Sequence, residues 1–255
     1  MKKSSENKLF NSQFFLLWQG QAVSKIGTFI FDIAMILWLK ERTDSAGLIA
    51  LILIASNIPE IILSPFGGTI ADIFSRRKIL IFSDIISGIL VTGLSVVLFF
   101  DIFTDIINYI LIFFVSLGLG ICAASFNPTV SAIIPDITDD NKLHSANSIF
   151  QTTGRIAQII GQSLGGIFFA VLGGPILFLA NGFSFLCSAI SESFLKIGND
   201  KKRIESLGKK NITFFKCQFF EGYHYCHNNT RLKYFMLIIA VYHFFVAPLP
   251  ILIPF

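Results

Sequence analysis

The chain has 255 residues, of which 53% are hydrophobic and only 14% charged, with a formal net charge of +4. A soluble domain carries about 25% charged residues, so the bulk solvent of this fold is lipid, and a water-soluble enzyme or binding domain is excluded. The positive charge is confined to a few loops and forms no basic stripe interleaved with aromatics, so nucleic acid is not an expected partner.

The first dozen residues are polar and basic, with Lys2, Lys3 and Lys8. The apolar run over 14–39 is too long for a signal-peptide core and lacks a small-x-small cleavage site, so it reads as a retained first helix. Further spans are predicted at 48–70, 79–100, 106–128, 146–172 and 176–196. Each reaches the roughly 20 residues a crossing requires. Between the second and third lies GGTIADIFSRRK, residues 67–78. Its Asp72, Arg76, Arg77 and Lys78 are expected on a tight hairpin. After the sixth span, 198–231 is polar and reads as a linker, with 212–227 as an amphipathic surface helix. A seventh apolar run begins near Leu232 and continues to Phe255.

Unbroken apolar runs lack the alternation of barrel strands, so the fold class is an all-α polytopic membrane protein. Its expected organisation is a six-helix transmembrane bundle over 1–197, a cytoplasmic linker over 198–231, and the start of a second bundle over 232–255. Lys and Arg gather in the N-terminal tail, the second-to-third link and the segment from Lys201 to Lys210, while the link after Phe100 and that after Leu172 have neither. Only Lys40 and Arg42 oppose the trend. The N-terminus is therefore expected in the cytoplasm of a multi-pass cell-membrane protein. On this topology the two matches to glycosylation acceptors, at Asn211 and Asn228, carry no meaning.

Polar residues recur inside the spans, where each is costly. Gln21, Lys25, Thr28 and Asp32 fall at i, i+4, i+7 and i+11, on one helix face. Asn57, Glu60, Ser64 and Gly68 repeat the pattern in the second span, and Gln151, Arg155, Gln158 and Gln162 in the fifth. Such stripes cannot face lipid. One reading is a structural network in which Asp32 and Glu60 neutralise Lys25 and Arg155. The other is a wet cavity for substrate or coupling ions, with Asp32 the leading proton-titrating acid and Glu60, after Pro59, the second. In the fifth span Gly161, Gly165 and Gly166 form a small-residue edge for close helix packing or bending.

The four cysteines do not suggest a disulfide framework, and Cys217, His224, Cys226 and His227 match no zinc spacing. No phosphate loop, nucleophile elbow or HExxH occurs, so neither enzymatic activity, a metal nor a cofactor is expected.

Gly68, Asp72, Arg76 and Arg77, with FNPTVSAIIPD at 126–136, NKLHSANSIFQ at 141–151 and SLGGIFFA at 163–170, resemble the N-terminal half of a major facilitator superfamily transporter. Within it the chain is most similar to the efflux branch of macrolide and enterobactin exporters. The resemblance implies twelve helices in two halves, substrate bound between them, and alternating access that is usually proton-driven. It implies a cavity lined on this half by the first, second, fourth and fifth helices, and a cytoplasmic gate built on Gly68, Asp72, Arg76 and Arg77. Departures are Ile73 where a basic residue is usual, Ser75 for Gly, Gln162 for the Pro after Gly161, and no Arg in the fourth span.

The function expected is secondary active export of amphiphilic small molecules of drug, macrolide or siderophore type. The chain reads as incomplete, so a C-terminal half joins lipid and substrate among its partners. The alternative is a non-transporting remnant or membrane interaction subunit that needs a separate second half.

Overall fold

The structure is a computed structural model that describes residues 11–43, 45–196 and 228–246. The helices are α1 (Ser12–Arg42), α2 (Ala46–Ile73), α3 (Arg76–Phe99), α4 (Asp105–Ile137), α5 (Leu143–Leu172), α6 (Gly174–Ser193) and α7 (Thr230–Val246), with a 3₁₀ turn at Asp140–Lys142 before α5. No strand occurs among the described residues. Two compact units result, Met1–Gly208 with α1–α6 and Lys209–Phe255 with α7. The linker expected at 198–231, its amphipathic segment and the N-terminal lysines lie almost wholly outside the described residues.

All six helices of the first unit are long and apolar enough to span a bilayer. At 1.5 Å per residue, α1 and α4, of 31 and 33 residues, reach about 45–50 Å, beyond the ~30 Å hydrocarbon core. Their ends therefore stand in the headgroup zone. The α1 end is fixed by Asn11, whose side chain accepts from Phe14 N at 2.8 Å and donates to the Ile137 carbonyl of α4 at 2.6 Å. Large apolar side chains cover the outer surface: Val171 is 76% exposed and Ile61 72%. That surface is stable only against acyl chains.

The packing follows no simple chain order. α2 lies on α4, α3 on α6 and α4, and α1 on α5 and α6, whereas chain neighbours touch only slightly. Exchanging α1–α3 with α4–α6 maps these neighbour pairs onto one another, as expected of two inverted three-helix repeats. Two apolar cores result. One joins Phe31, Trp38, Ile49, Leu98, Ile112 and Phe178 at one end of the bundle. The other joins Phe14, Leu17, Leu80, Ile133, Phe150 and Leu195 at the opposite end.

Prolines and glycines set the α2–α4 seam. Pro128 cannot donate to the Ala124 carbonyl one turn back, and a Cβ on Gly67 of α2 would strike that same carbonyl. Across the seam, a Cβ on Gly120 of α4 would strike the Ser56 carbonyl and lie 3.3 Å from Pro59 Cδ. Only glycine permits backbones so close.

In the second unit α7 stands on its own terms. Asn229 caps its start, its side chain accepting from Leu232 N at 3.3 Å. Tyr234, Phe235, Leu237 and Ile238 are all exposed, so the helix is apolar around much of its circumference.

Candidate functional site

Between the two apolar cores the first unit holds an open cavity of about 650 Å³, within the usual size range of small-molecule sites. Eight of the stripe residues are candidates for coupling or substrate and all line it: Gln21, Lys25 and Asp32 from α1, Asn57 and Glu60 from α2, and Gln151, Arg155 and Gln158 from α5. Thr28 lines it too, whereas Ser64, Gly68 and Gln162, the outlying members of the stripes, do not.

The cavity is not walled by four helices alone. α3 contributes Ser83, Asp84 and Ser87, and α6 contributes Asn181 and Phe185, which corrects the expectation that α1, α2, α4 and α5 line it. The signal was present in the sequence. On α6, Asn181, Ser184, Ser188 and Glu192 recur at i, i+3, i+7 and i+11 and are all buried, the same periodicity that singled out α1.

The charges in the cavity are not paired with one another. Glu60 accepts a hydrogen bond from Asn127 Nδ2 of α4 at 2.7 Å. Arg155 donates to Gln158 Oε1 one turn along its own helix at 3.2 Å. Lys25 lies against Gly154, a Cβ on which would sit 3.6 Å from its Nζ. Neither Lys25 nor Asp32 makes an ion pair among the described residues. The mutual neutralisation of Asp32 and Glu60 by Lys25 and Arg155 is therefore not formed. Lys25, Arg155, Asp32 and Glu60 instead face the same space without pairing, together with Asp84 of α3.

The glycines of α5 divide by position. A Cβ on Gly161 would strike Phe29 and lie 3.1 Å from the Ile30 nitrogen, and one on Gly165 would lie 3.0 Å from Ile33 Cβ, so both sit on the α1 seam. Gly166 faces open space.

At the end of the bundle where α2 meets α3, Arg76 and Arg77 are not in a loop. Phe74 ends α2 and Ser75 begins α3, so both arginines, with Lys78, fall in the first turn of α3. The connection is a tight one of only two residues, but its charges stand on the flanking helices rather than in the turn, and Arg76 reaches across it. Its guanidinium donates to the Ala71 carbonyl of α2 at 3.3 Å and to the Ala132 carbonyl of α4, and it meets Asp136 Oδ2 at 2.8 Å. One side chain thus ties the end of α2 to α4. Arg77 donates to the Ser193 carbonyl at the end of α6. Gly68 has no neighbour within 4 Å of where a Cβ would stand, and the side chain of Asp72 lies outside the described residues.

The Arg76–Asp136 pair is only partly shielded, at 12% and 25% exposure. Asp136→Asn should lower the stability of the bundle by about 1.5–3 kcal/mol, the range for a charge-assisted hydrogen bond, read as a lower melting temperature in detergent. An unchanged melting temperature would make the clamp energetically idle.

Residues 4–255 match the family described as transmembrane secretion effectors. The chain belongs to the major facilitator superfamily. This facilitator chain is 24% identical over 254 residues to macrolide efflux protein A of Streptococcus pyogenes, covering 100% of this chain and 60% of that protein. It is 30% identical over 215 residues to the staphyloferrin A transporter of Staphylococcus aureus, covering 82% of this chain and 51% of the relative. It is 26% identical over 168 residues to the multidrug efflux pump Tap of Mycolicibacterium fortuitum, covering 63% and 40%. The chain thus spans 40–60% of the length of these curated relatives. Six helices in two inverted triplets are one half of the major facilitator fold.

The remaining sequence candidates are quickly placed. Cys217, His224, Cys226 and His227 lie outside the described residues, and no group of three His, Cys, Asp or Glu suited to a metal occurs among those described.

Proposed function

We propose that this chain is the N-terminal half of an exporter that moves amphiphilic small molecules by alternating access, coupled to the proton gradient, with a second six-helix half closing the cavity. The observation that carries this reading is the cavity itself. It lies between the two apolar cores of a six-span bundle, has room for part of a drug-sized molecule, and holds Lys25, Asp32, Glu60 and Arg155 without ion pairs among them. Charges left unpaired at such cost are retained for ligands or ions. The aromatic and aliphatic wall at Phe29, Met35, Phe126 and Phe185 suits the apolar body of an amphiphile. The names of the relatives, which speak of macrolide efflux, siderophore transport and multidrug efflux, support the class of substrate.

We place the N-terminus in the cytoplasm of a cell-membrane protein. Arg76 and Arg77 then mark the cytoplasmic end of the bundle. Arg42, which stands at the other end, has a local structural role that accounts for its place there. It is held by Asp105 at 3.0 Å and Asp101 at 3.8 Å and lies over the Trp38 ring at 5.1 Å, so its charge is locally balanced. A cysteine introduced at Asp101 should react in intact cells with a membrane-impermeant maleimide, and one at Lys78 only after permeabilisation. The reverse pattern would invert the topology.

The transport reading is tested by accumulation. The chain joined or co-expressed with a facilitator C-terminal half should lower intracellular macrolide or siderophore in an energised host, and a protonophore should abolish the difference. Unchanged accumulation with the assembled protein in the membrane would favour the non-transporting interaction subunit.

A further inference from the structure

A second polar group lies on the α3–α6 side of the bundle, and none of the stripes that define the cavity includes it. Asp84 of α3 is 2% exposed, and Glu192 and Ser188 of α6 are both 0% exposed. Glu192 lies within electrostatic reach of Asp84, and the Ser188 hydroxyl is beside both carboxyls. We propose that Asp84 and Glu192 share one bound proton, forming a buried proton site beside the cavity and distinct from Asp32.

Hydrogen-bond accounting leads to a proton. Glu192 Oε1 accepts from Gln21 Nε2 at 3.2 Å. Asp84 Oδ2, Glu192 Oε2 and Ser188 Oγ are buried with no hydrogen-bond partner. Buried oxygens in native proteins are almost always satisfied, and here the single hydroxyl hydrogen of Ser188 cannot serve both carboxyls. One added proton turns a carboxylate into an O–H donor and supplies the missing hydrogen.

Charge accounting gives the same answer. No Lys, Arg or His pairs with either carboxyl among the described residues. From α1 the facing group is Gln21, whose cavity face also carries Lys25 and Asp32. From α4 it is the Cys122 thiol, which lies near Asp84 and Ser87. On α3 itself Arg77 donates to the Ser193 carbonyl. Two adjacent ionised carboxylates without a cation cannot both persist out of water, and sharing one proton removes one of the charges. A metal ion fits less well, because the Gln21 amide presents N–H rather than oxygen to Glu192.

The site is reachable. Asp84 and Gln21 both line the cavity, while Glu192 lies behind them. A proton entering from cavity water would reach Asp84 first, and Glu192 through the Ser188 hydroxyl. A role in coupling rests on the export reading above, whereas the bound proton does not.

Infrared spectroscopy of the chain in lipid nanodiscs reads the proton without transport, so failure of either reading is distinguishable from failure of the other. A carboxylic-acid carbonyl band should be present at neutral pH and vanish on alkaline titration. It should be lost in Asp84→Asn and in Glu192→Gln, since an amide replaces the protonated member of the pair, and retained in Asp32→Asn. Dicyclohexylcarbodiimide, which modifies protonated carboxyls in apolar surroundings, should label Asp84 or Glu192 of the unaltered chain, located by mass spectrometry; this arm needs no variant to fold. Absence of both band and label would overturn the proposal. So would a band indifferent to both substitutions. Suppression of the label by sodium at constant ionic strength would reassign the site to a metal cation.

Discussion

Asp32→Asn in the assembled transporter should reduce proton-driven export at least about tenfold, equivalent to roughly 1.4 kcal/mol in the barrier, with insertion and folding intact. Asp32 stands on the cavity face of α1, half-buried, two turns beyond Lys25. It makes no ion pair among the described residues, so its removal leaves no orphaned cation and should not unfold the bundle. Asparagine keeps the size and polarity of the side chain but cannot gain or lose a proton in this range. A carboxyl that serves only to fill space or bind neutral substrate would tolerate the exchange. The measurement is substrate uptake into inverted vesicles under an imposed pH gradient, alongside equilibrium substrate binding. Lost uptake with retained binding assigns Asp32 to coupling. Uptake at the normal rate would remove it from that role.

Gly120→Val is expected to have the largest effect on the fold. Gly120 of α4 faces the Ser56 carbonyl of α2, and the Pro59 ring lies 3.3 Å from where its Cβ would stand. The obstacle is backbone, not the tip of a flexible side chain, so no rotamer change can relieve it. Overpacking typically costs about 1–3 kcal/mol where side chains can yield, and here the helices themselves must separate. Their separation would also break the 2.7 Å bond from Asn127 to Glu60 on the same seam. Size-exclusion profiles and thermal melts of the purified protein report the outcome. Gly93→Val is the matched control, because nothing lies within 4 Å of a Cβ at Gly93. If Gly120→Val melts like the parent, the close α2–α4 approach contributes nothing to stability.

The two predictions differ in how legible they were. Asp32 could be selected from its spacing alone. A charged residue inside an apolar run, in phase with Gln21 and Lys25, must point away from lipid whatever its neighbours are. Gly120 could not be selected, since nothing local separates it from Gly118 two residues earlier, which meets only a leucine side chain. Its role exists only because Ser56 and Pro59, some sixty residues away in the chain, lie directly against it on the facing helix.

Asp84 and Glu192 fall between these cases. Each is an isolated acid in an apolar span, which marks it as costly, and α6 even repeats the spacing seen in α1. That the two acids are buried on the same side of the bundle is a property of the α3–α6 packing alone. Arg76 and Arg77 illustrate the limit of reading charges as loops. Their sequence context marks the end of a membrane crossing, and their binding to the Ala132 and Ser193 carbonyls depends on where α4 and α6 end.

The number of spans, the helical class, and the polar faces of α1, α2 and α5 were set by the sequence itself. Each follows from transfer energies and helical periodicity, which act residue by residue within one segment. Which helices pack together, which stripes reach the cavity, that its opposite charges stay unpaired, and which acids become neighbours were decided only by the tertiary structure. Those outcomes depend on distances between segments far apart in the chain, and a single helix carries no information about the side chain that will face it.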